Sequence, residues 1–194
     1  KTPATIRLFN IFKKLNFNIG TGKKYYKEHL DEQIILSNQT NLICKKSRVE
    51  ILEEASKSKF ELILFDDGLQ EKDLNYDLKI VCFDANNWIG NGQLIPAGPL
   101  REKLNSLKKY DIVFLKNHNS KTNEIKEIIK KQNPLIKIFQ MSLNPENMQN
   151  FDLRQKYLIF SGIGDPKNFK KILLDNNFKV CLLYTSDAAD DQAC

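Results

Sequence analysis

Short apolar runs alternate with amphipathic stretches along most of the chain. Leu42–Cys44, Leu62–Phe65, Ile80–Phe83, Ile112–Leu115, Ile136–Phe139, Tyr157–Phe160 and Phe178–Val180 have the length and composition of strands. Between them, Ala4–Leu15, Leu30–Ser37, Arg48–Lys57, Glu102–Lys108, Asn123–Lys131 and Lys167–Asp175 predict helices. The first is the clearest, with Ile6, Leu8, Phe9, Ile11, Phe12 and Leu15 at mostly helical spacing. Ser47 and Thr122 are expected N-caps, and Asp165-Pro166 places a cap before a proline suited to a first helical turn. Strand–helix alternation of this kind predicts an α/β fold with a mainly parallel sheet and helices on both faces. The polar stretch Asn144–Asp152 breaks the pattern. It divides the expectation into a main domain over 1–143, a linker over 144–155 and a second, smaller α/β lobe beginning at 156–180.

A chain of 194 residues suffices for one domain, or one and a fraction. Its 41% hydrophobic and 28% charged residues are ordinary for a globular protein. The net charge of +6 fits either a solvated lysine-rich surface or attraction to anions such as nucleotide, lipid phosphate or an acidic membrane face. The lysines are dispersed, without a basic block or interleaved aromatics, so no nucleic-acid partner is expected. No run approaches the ~18 apolar residues of a spanning helix. Cys44, Cys82, Cys181 and Cys194 form no C-x-x-C pair, and the first two read as small core residues of a reducing compartment. His29 and His118 belong to no metal-ligand cluster, and His118 lies in a polar turn.

The chemistry concentrates between Asp66 and Glu102. The apolar run Leu62–Phe65 ends in Asp66-Asp67-Gly68, the way a buried parallel strand delivers acid to a nucleotide–metal site at its carboxyl end. Adjacent strand residues point to opposite faces, so the two carboxylates converge only if the strand breaks between them, which Gly68 would permit. A second stretch follows, Gly90-Asn91-Gly92-Gln93-Leu94-Ile95-Pro96-Ala97-Gly98-Pro99-Leu100-Arg101-Glu102. There a carboxylate and a guanidinium at one helix start can serve metal and anion together, or form a plain surface pair. Asn91 and Gly92 sit in a turn able to approach a site. Further on, Ser161-Gly162-Ile163-Gly164-Asp165-Pro166 is either a tight turn or a phosphate-binding helix start.

Together these motifs resemble the tetraacyldisaccharide 4'-kinases, the lipid A 4'-kinases of Gram-negative envelope synthesis. The resemblance runs from Lys1 to about Val180, strongest over Asp66–Glu102 and weakest over Phe17–Lys46. It implies a P-loop NTPase-like fold using ATP and Mg²⁺, with Lys1-Thr2 as the last two residues of a Walker A loop. By that resemblance Lys1 contacts the β/γ-phosphates and Thr2 ligates Mg²⁺. Asp66, Asp67 and Glu102 complete the metal site, with Asp67 also catalytic. Arg101 holds phosphate, and Asp31, within Leu30-Asp31-Glu32, is the base toward the acceptor hydroxyl. Asp-Glu at a helix start is equally ordinary capping. Implied too are a lipid disaccharide substrate, an anionic membrane surface, a peripheral place on the cytoplasmic face of the inner membrane and no obligate protein partner.

There are departures from the family pattern. Thr21–Tyr26 stands where the family has Arg-Gly-Tyr, Leu30 replaces a glycine, and Leu69 and Glu71 replace phenylalanine and histidine. Thr21-Gly-Lys-Lys lacks the features of a second P-loop. The run CLLYTSDAAD after Val180 resembles a translated sequencing adapter, so 181–194 are expected to be an artefact tail. The expectation is a segment beginning inside the P-loop, stopping before a histidine motif, and inactive alone. The alternatives are another P-loop ATPase or small-molecule kinase, and a non-catalytic α/β anion-binding module.

Overall fold

The element that organises the first sheet carries no apolar run. In a computed structural model describing residues 1–27, 30–69, 71, 74–116, 120–145, 147–162 and 166–185, Ile19–Lys24 forms strand β1. It lies between β2 (Leu42–Lys45) and β3 (Leu62–Phe65), parallel to both. Its sequence, Ile-Gly-Thr-Gly-Lys-Lys, reads as a turn, and no strand was expected there. On one face Gly20 and Gly22 leave room for neighbours: a Cβ on Gly20 would meet Phe60 and Ile63 at 2.8–3.0 Å, and one on Gly22 would meet Ile51 and Phe65 at 2.9–3.0 Å. These rings and branches belong to the apolar cluster of Ile43, Ile51 and Ala55 with Phe60, Ile63 and Phe65. The alternate residues Ile19, Thr21 and Lys23 are all buried, as the period of two requires.

Helix α1 (Thr2–Lys14) leads into this strand. Lys1 is its N-cap residue, whose carbonyl accepts from the amides of Ala4 and Thr5, and Pro3 lies in the first turn. It ends on Asn16 in the left-handed conformation, φ 65°. The Asn16 amide donates to the Lys13 carbonyl and the Phe17 amide to that of Phe12, closing the helix as a Schellman motif. The Phe12 and Phe17 rings meet edge to face at 5.6 Å, the apolar contact that accompanies such an end. α2 (Leu30–Gln39) and α3 (Arg48–Lys57) follow β1 and β2. The Ser47 cap is as expected, its hydroxyl accepting from the Glu50 amide.

Beyond these, β4 (Ile80–Asp84), β5 (Ile112–Lys116) and β6 (Lys137–Met141) form a second sheet of order β4-β5-β6. The parallel pair β7 (Lys156–Ser161) and β8 (Lys179–Thr185) flanks α5 (Pro166–Asp175) in sequence. α4 (Thr122–Gln132) precedes β6. The chain divides into two units. One comprises Lys1–Cys82, Leu104–Val113 and Leu135–Lys137, the other Phe83–Lys103, Phe114–Pro134 and Ile138–Cys194. The second contains a ring cluster in which Phe151, Tyr157 and Phe178 meet one another at 5.6–5.8 Å.

Two local expectations are corrected. Thr122 is the first helical residue of α4 and Lys121 the cap position, without a side-chain cap bond. The helix expected over Glu102–Lys108 is a 3-10 helix over Leu104–Lys109. Leu104 and Leu107 are spaced by three, the repeat at which 3-10 side chains align, and Leu107 is buried. Strand β8 includes Cys181–Thr185, so the segment read as a tail begins inside a strand. Asp165, Gly164, His29, His118 and 186–194 lie outside the described residues.

Candidate functional site

Two sequence motifs far apart in the chain meet at the carboxyl end of β3. The ladder continues one step past the strand, the Asp66 amide donating to the Gly22 carbonyl at 2.9 Å. Register therefore sets Asp66 beside Lys23 on β1. Asp66 is 3% exposed and accepts three hydrogen bonds. Thr2 Oγ1 and Lys23 Nζ donate to Oδ2 at 3.0 and 2.8 Å, and Thr5 Oγ1 donates to Oδ1 at 3.2 Å. Both threonines come from the first turn of α1, so helix start and strand end are locked by a buried, fully hydrogen-bonded carboxylate.

Asp67 faces a different environment. Its side chain is 36% exposed and takes Lys1 Nζ at 2.5 Å. The turn that separates the two carboxylates is made at Asp67 itself, with φ 60°, and not at Gly68. Aspartate is among the few residues that enter this region readily. Gly68 is needed for space, since a Cβ there would lie 2.9 Å from Phe65 Cβ and 3.0 Å from Tyr76 Oη. Tyr76 Oη donates to the Gly68 carbonyl at 2.9 Å. Behind the turn, Arg48 donates from Nη2 to the Asp67 carbonyl at 2.6 Å and from Nη1 to Glu71 at 2.5 Å. Glu71, through Arg48, thus serves the backbone of the acidic turn.

Sequence reasoning missed Lys23, Thr5, Arg48 and Glu32. Lys23 is buried and bridges Asp66 to Glu32, with Glu32 Oε2 at 2.5 Å. Burial alone would lower its pKa. Hydrogen bonds and charge from Asp66 and Glu32 outweigh that and raise it above 10.5. A raised lysine pKa stabilises the fold fully below the unfolded value and loses that contribution as pH climbs through the folded one. The expected result is that wild type and Lys23→Met differ in stability by a constant amount from neutral pH toward 10.5. At more alkaline pH the gap should close, which urea unfolding at a series of pH values would check.

Asp31 is exposed in the first turn of α2. It is its neighbour Glu32 whose carboxylate reaches Lys23. Arg101 and Glu102 fall in the other unit, in a bend before the 3-10 helix and not at a helix start as expected. Arg101 is exposed and Glu102 half-buried. Asn91 is occupied within its own loop, donating to the Ala97 carbonyl at 2.8 Å and accepting from the Gln93 amide at 3.1 Å. Gly98 lies so close to Gln93 that a Cβ would stand 2.5 Å from its carbonyl oxygen.

Among the described residues no group of three or more His, Cys, Asp or Glu could enclose a metal ion. The oxygen groups gathered at α1 and β3 are two hydroxyls and two carboxylates. Such hard oxygen ligands suit Mg²⁺, which retains waters and takes one or two carboxylates beside substrate phosphates.

Parallel strands flanked by helices define an α/β protein, an architecture consistent with the P-loop-kinase-like fold that the family match implies. The sequence profile of the family described as Tetraacyldisaccharide-1-P 4'-kinase matches residues 18–188. The tetraacyldisaccharide 4'-kinase of Pelagibacter ubique is 44% identical over 180 residues, 93% of this chain and 57% of that protein. Those of Rickettsia akari and Haemophilus influenzae are 37% and 28% identical, over 72% and 89% of this chain and 41% and 56% of theirs. The chain belongs to the tetraacyldisaccharide 4'-kinase family and spans about half the length of these relatives.

Proposed function

We propose that the protein transfers the γ-phosphoryl group of ATP to the 4'-hydroxyl of a tetraacyldisaccharide 1-phosphate, a step of lipid A synthesis. The observation that carries this reading is the meeting of Lys1-Thr2 with Asp66-Asp67, 64 residues apart between Thr2 and Asp66. Phosphoryl transfer asks the protein chiefly for positioning and charge. In this assignment Lys1 serves the β/γ-phosphates. Thr2 and Asp67 are the ligands to Mg²⁺, whose chemistry is neutralisation of phosphate charge, and Asp67 also carries the catalytic role. Asp66, already holding three donors, orients Thr2 and acts on the metal from behind. Glu102 joins the metal set, Arg101 holds phosphate, and Asp31 accepts the proton of the attacking hydroxyl.

The domain reading belongs here too: a kinase domain over 1–143, a linker over 144–155 and a second lobe from 156. The substrate is a lipid and no helix among the described residues is long and apolar enough to cross a membrane. We place the protein peripherally on the cytoplasmic face of the inner membrane, its +6 charge favouring anionic headgroups. The test is ATP- and Mg²⁺-dependent conversion of tetraacyldisaccharide 1-phosphate to its 4'-phosphorylated product, by the full gene product and by the 194-residue chain. Hydrolysis of ATP that is indifferent to the disaccharide would instead favour another P-loop ATPase.

A further inference from the structure

Lys23 is an expensive residue to bury. Its side chain is 6% exposed, and an ammonium taken out of water is offset only by close, well-placed anions. Neutralising Asp66 would need one contact, yet Nζ makes two, to carboxylates from different elements: Asp66 at the end of β3 and Glu32 in the first turn of α2. β1 is hydrogen-bonded on both sides, Lys23 pairing in register with Cys44 and Gly22 with Phe65. The lysine therefore projects from the most constrained strand of its sheet.

Helix α2 has little apolar anchorage. Only Gln33 and Leu36 are buried in it, while Leu30, Ile34 and Ile35 are exposed. Polar ties locate it instead. Gln33 Nε2 donates to the Tyr26 carbonyl at 2.6 Å, Cys44 Sγ donates to Gln33 Oε1 at 3.3 Å, and the hydroxyls of Thr21 and Thr40 share a bond of 2.6 Å. Of the ties from β1, the one through Lys23 reaches the turn that bears Asp31.

We propose that Lys23 is a positioning residue that fixes the acceptor-side turn of α2 to the phosphate-side carboxylate Asp66. This rests on the kinase reading above. Asp66 orients Thr2, Glu32 orients the turn holding Asp31, and one ammonium ties the two halves of the site at a set spacing. Glu32→Gln cuts only the acceptor arm, and since Glu32 is 43% exposed at its side chain the variant retains its fold. Lys23→Met cuts both arms.

The experiment measures MgATP binding, steady-state turnover with tetraacyldisaccharide 1-phosphate, and urea unfolding for four forms of the full gene product: wild type, Glu32→Gln, Lys23→Met and the double variant. Glu32→Gln is expected to lower kcat/KM for the disaccharide by about tenfold or more, as small misplacements of reacting groups do, with MgATP affinity unchanged. Lys23→Met should impair both. The double variant should be no worse than Lys23→Met. Unaltered disaccharide kinetics in Glu32→Gln would overturn the proposal and leave Lys23 a counter-ion to Asp66. Should Lys23→Met not fold, Glu32→Gln decides alone. If wild type binds MgATP and leaves the disaccharide unphosphorylated, the kinase reading falls. The bridge is then judged by unfolding, where coupled single-variant effects support it and additive ones overturn it.

Discussion

Replacing Asp66 with alanine is expected to destabilise the chain by about 3 kcal/mol, the lower end of the range for breaking a buried pair from one side. The reason is what remains. Lys23, 5% exposed, keeps Glu32 as its partner but loses the anion beside it on the sheet. The hydroxyls of Thr2 and Thr5 lose their acceptor, and the start of α1 loses its hold on β3. The half-buried position of Glu32 is why the lower end of the range applies. Adding Lys23→Met to Asp66→Ala should restore part of the loss, because an uncompensated charge is removed with it. Asp67→Asn, which suits the φ of 60° at that position, provides the contrast. Its pair with Lys1 is exposed on both sides, a type worth ~0–1 kcal/mol. Urea unfolding of the four proteins checks the order. Equal effects for Asp66→Ala and Asp67→Asn would show that the buried network does not hold helix to strand.

Among the described residues the pattern of apolar runs located β2 to β7, each of which carries its own apolar residues, and met β8 only at Lys179 and Val180, the rest of that strand having been read as a tail. β1 escaped because its core contact is made by other elements: Phe60, Ile63, Ile51 and Phe65 occupy the space over Gly20 and Gly22. A strand whose apolar face is borrowed has no period-two signal, and its glycines and lysines imitate a turn. The same omission hid Lys23, whose pairing with Asp66 depends on the register between β1 and β3 and on nothing local. Asp66 and Asp67 stood out as carboxylates ending an apolar run, whereas Lys1 and Thr2 drew attention only through the resemblance to the kinase family; their meeting with Asp66 and Asp67 is seen in the hydrogen bonds. The way the two aspartates part was not legible. It depends on Asp67 taking a positive φ, which the glycine beside it made the less obvious choice. At Glu102 the expected helix starts two residues later, as a 3-10 helix from Leu104, so the carboxylate precedes it.

Asp67→Asn is expected to lower turnover of the full gene product by at least ~10²-fold, the scale on which a single electrostatic group acts at a reacting centre. The substitution is chosen for its backbone. Asp67 sits at φ 60°, and asparagine, like aspartate, accepts that conformation with little strain. The fold around it is held by groups the variant leaves alone: Arg48 on the Asp67 carbonyl, Glu71 on Arg48, and Tyr76 on the Gly68 carbonyl. Stability should therefore stay within ~1 kcal/mol of wild type, the most an exposed pair contributes. Charge is what changes. Lys1 loses its anionic partner, and the turn loses the more accessible of its two carboxylates. If Asp67 is a metal ligand, the Mg²⁺ concentration needed for half-maximal rate rises along with the fall in kcat, and excess Mg²⁺ recovers part of the activity. Glu102→Gln should show the same pairing of effects if it belongs to the same metal set. A folded Asp67→Asn protein with near-normal turnover and an unaltered Mg²⁺ requirement would remove Asp67 from the site and leave its pair with Lys1 as a surface contact.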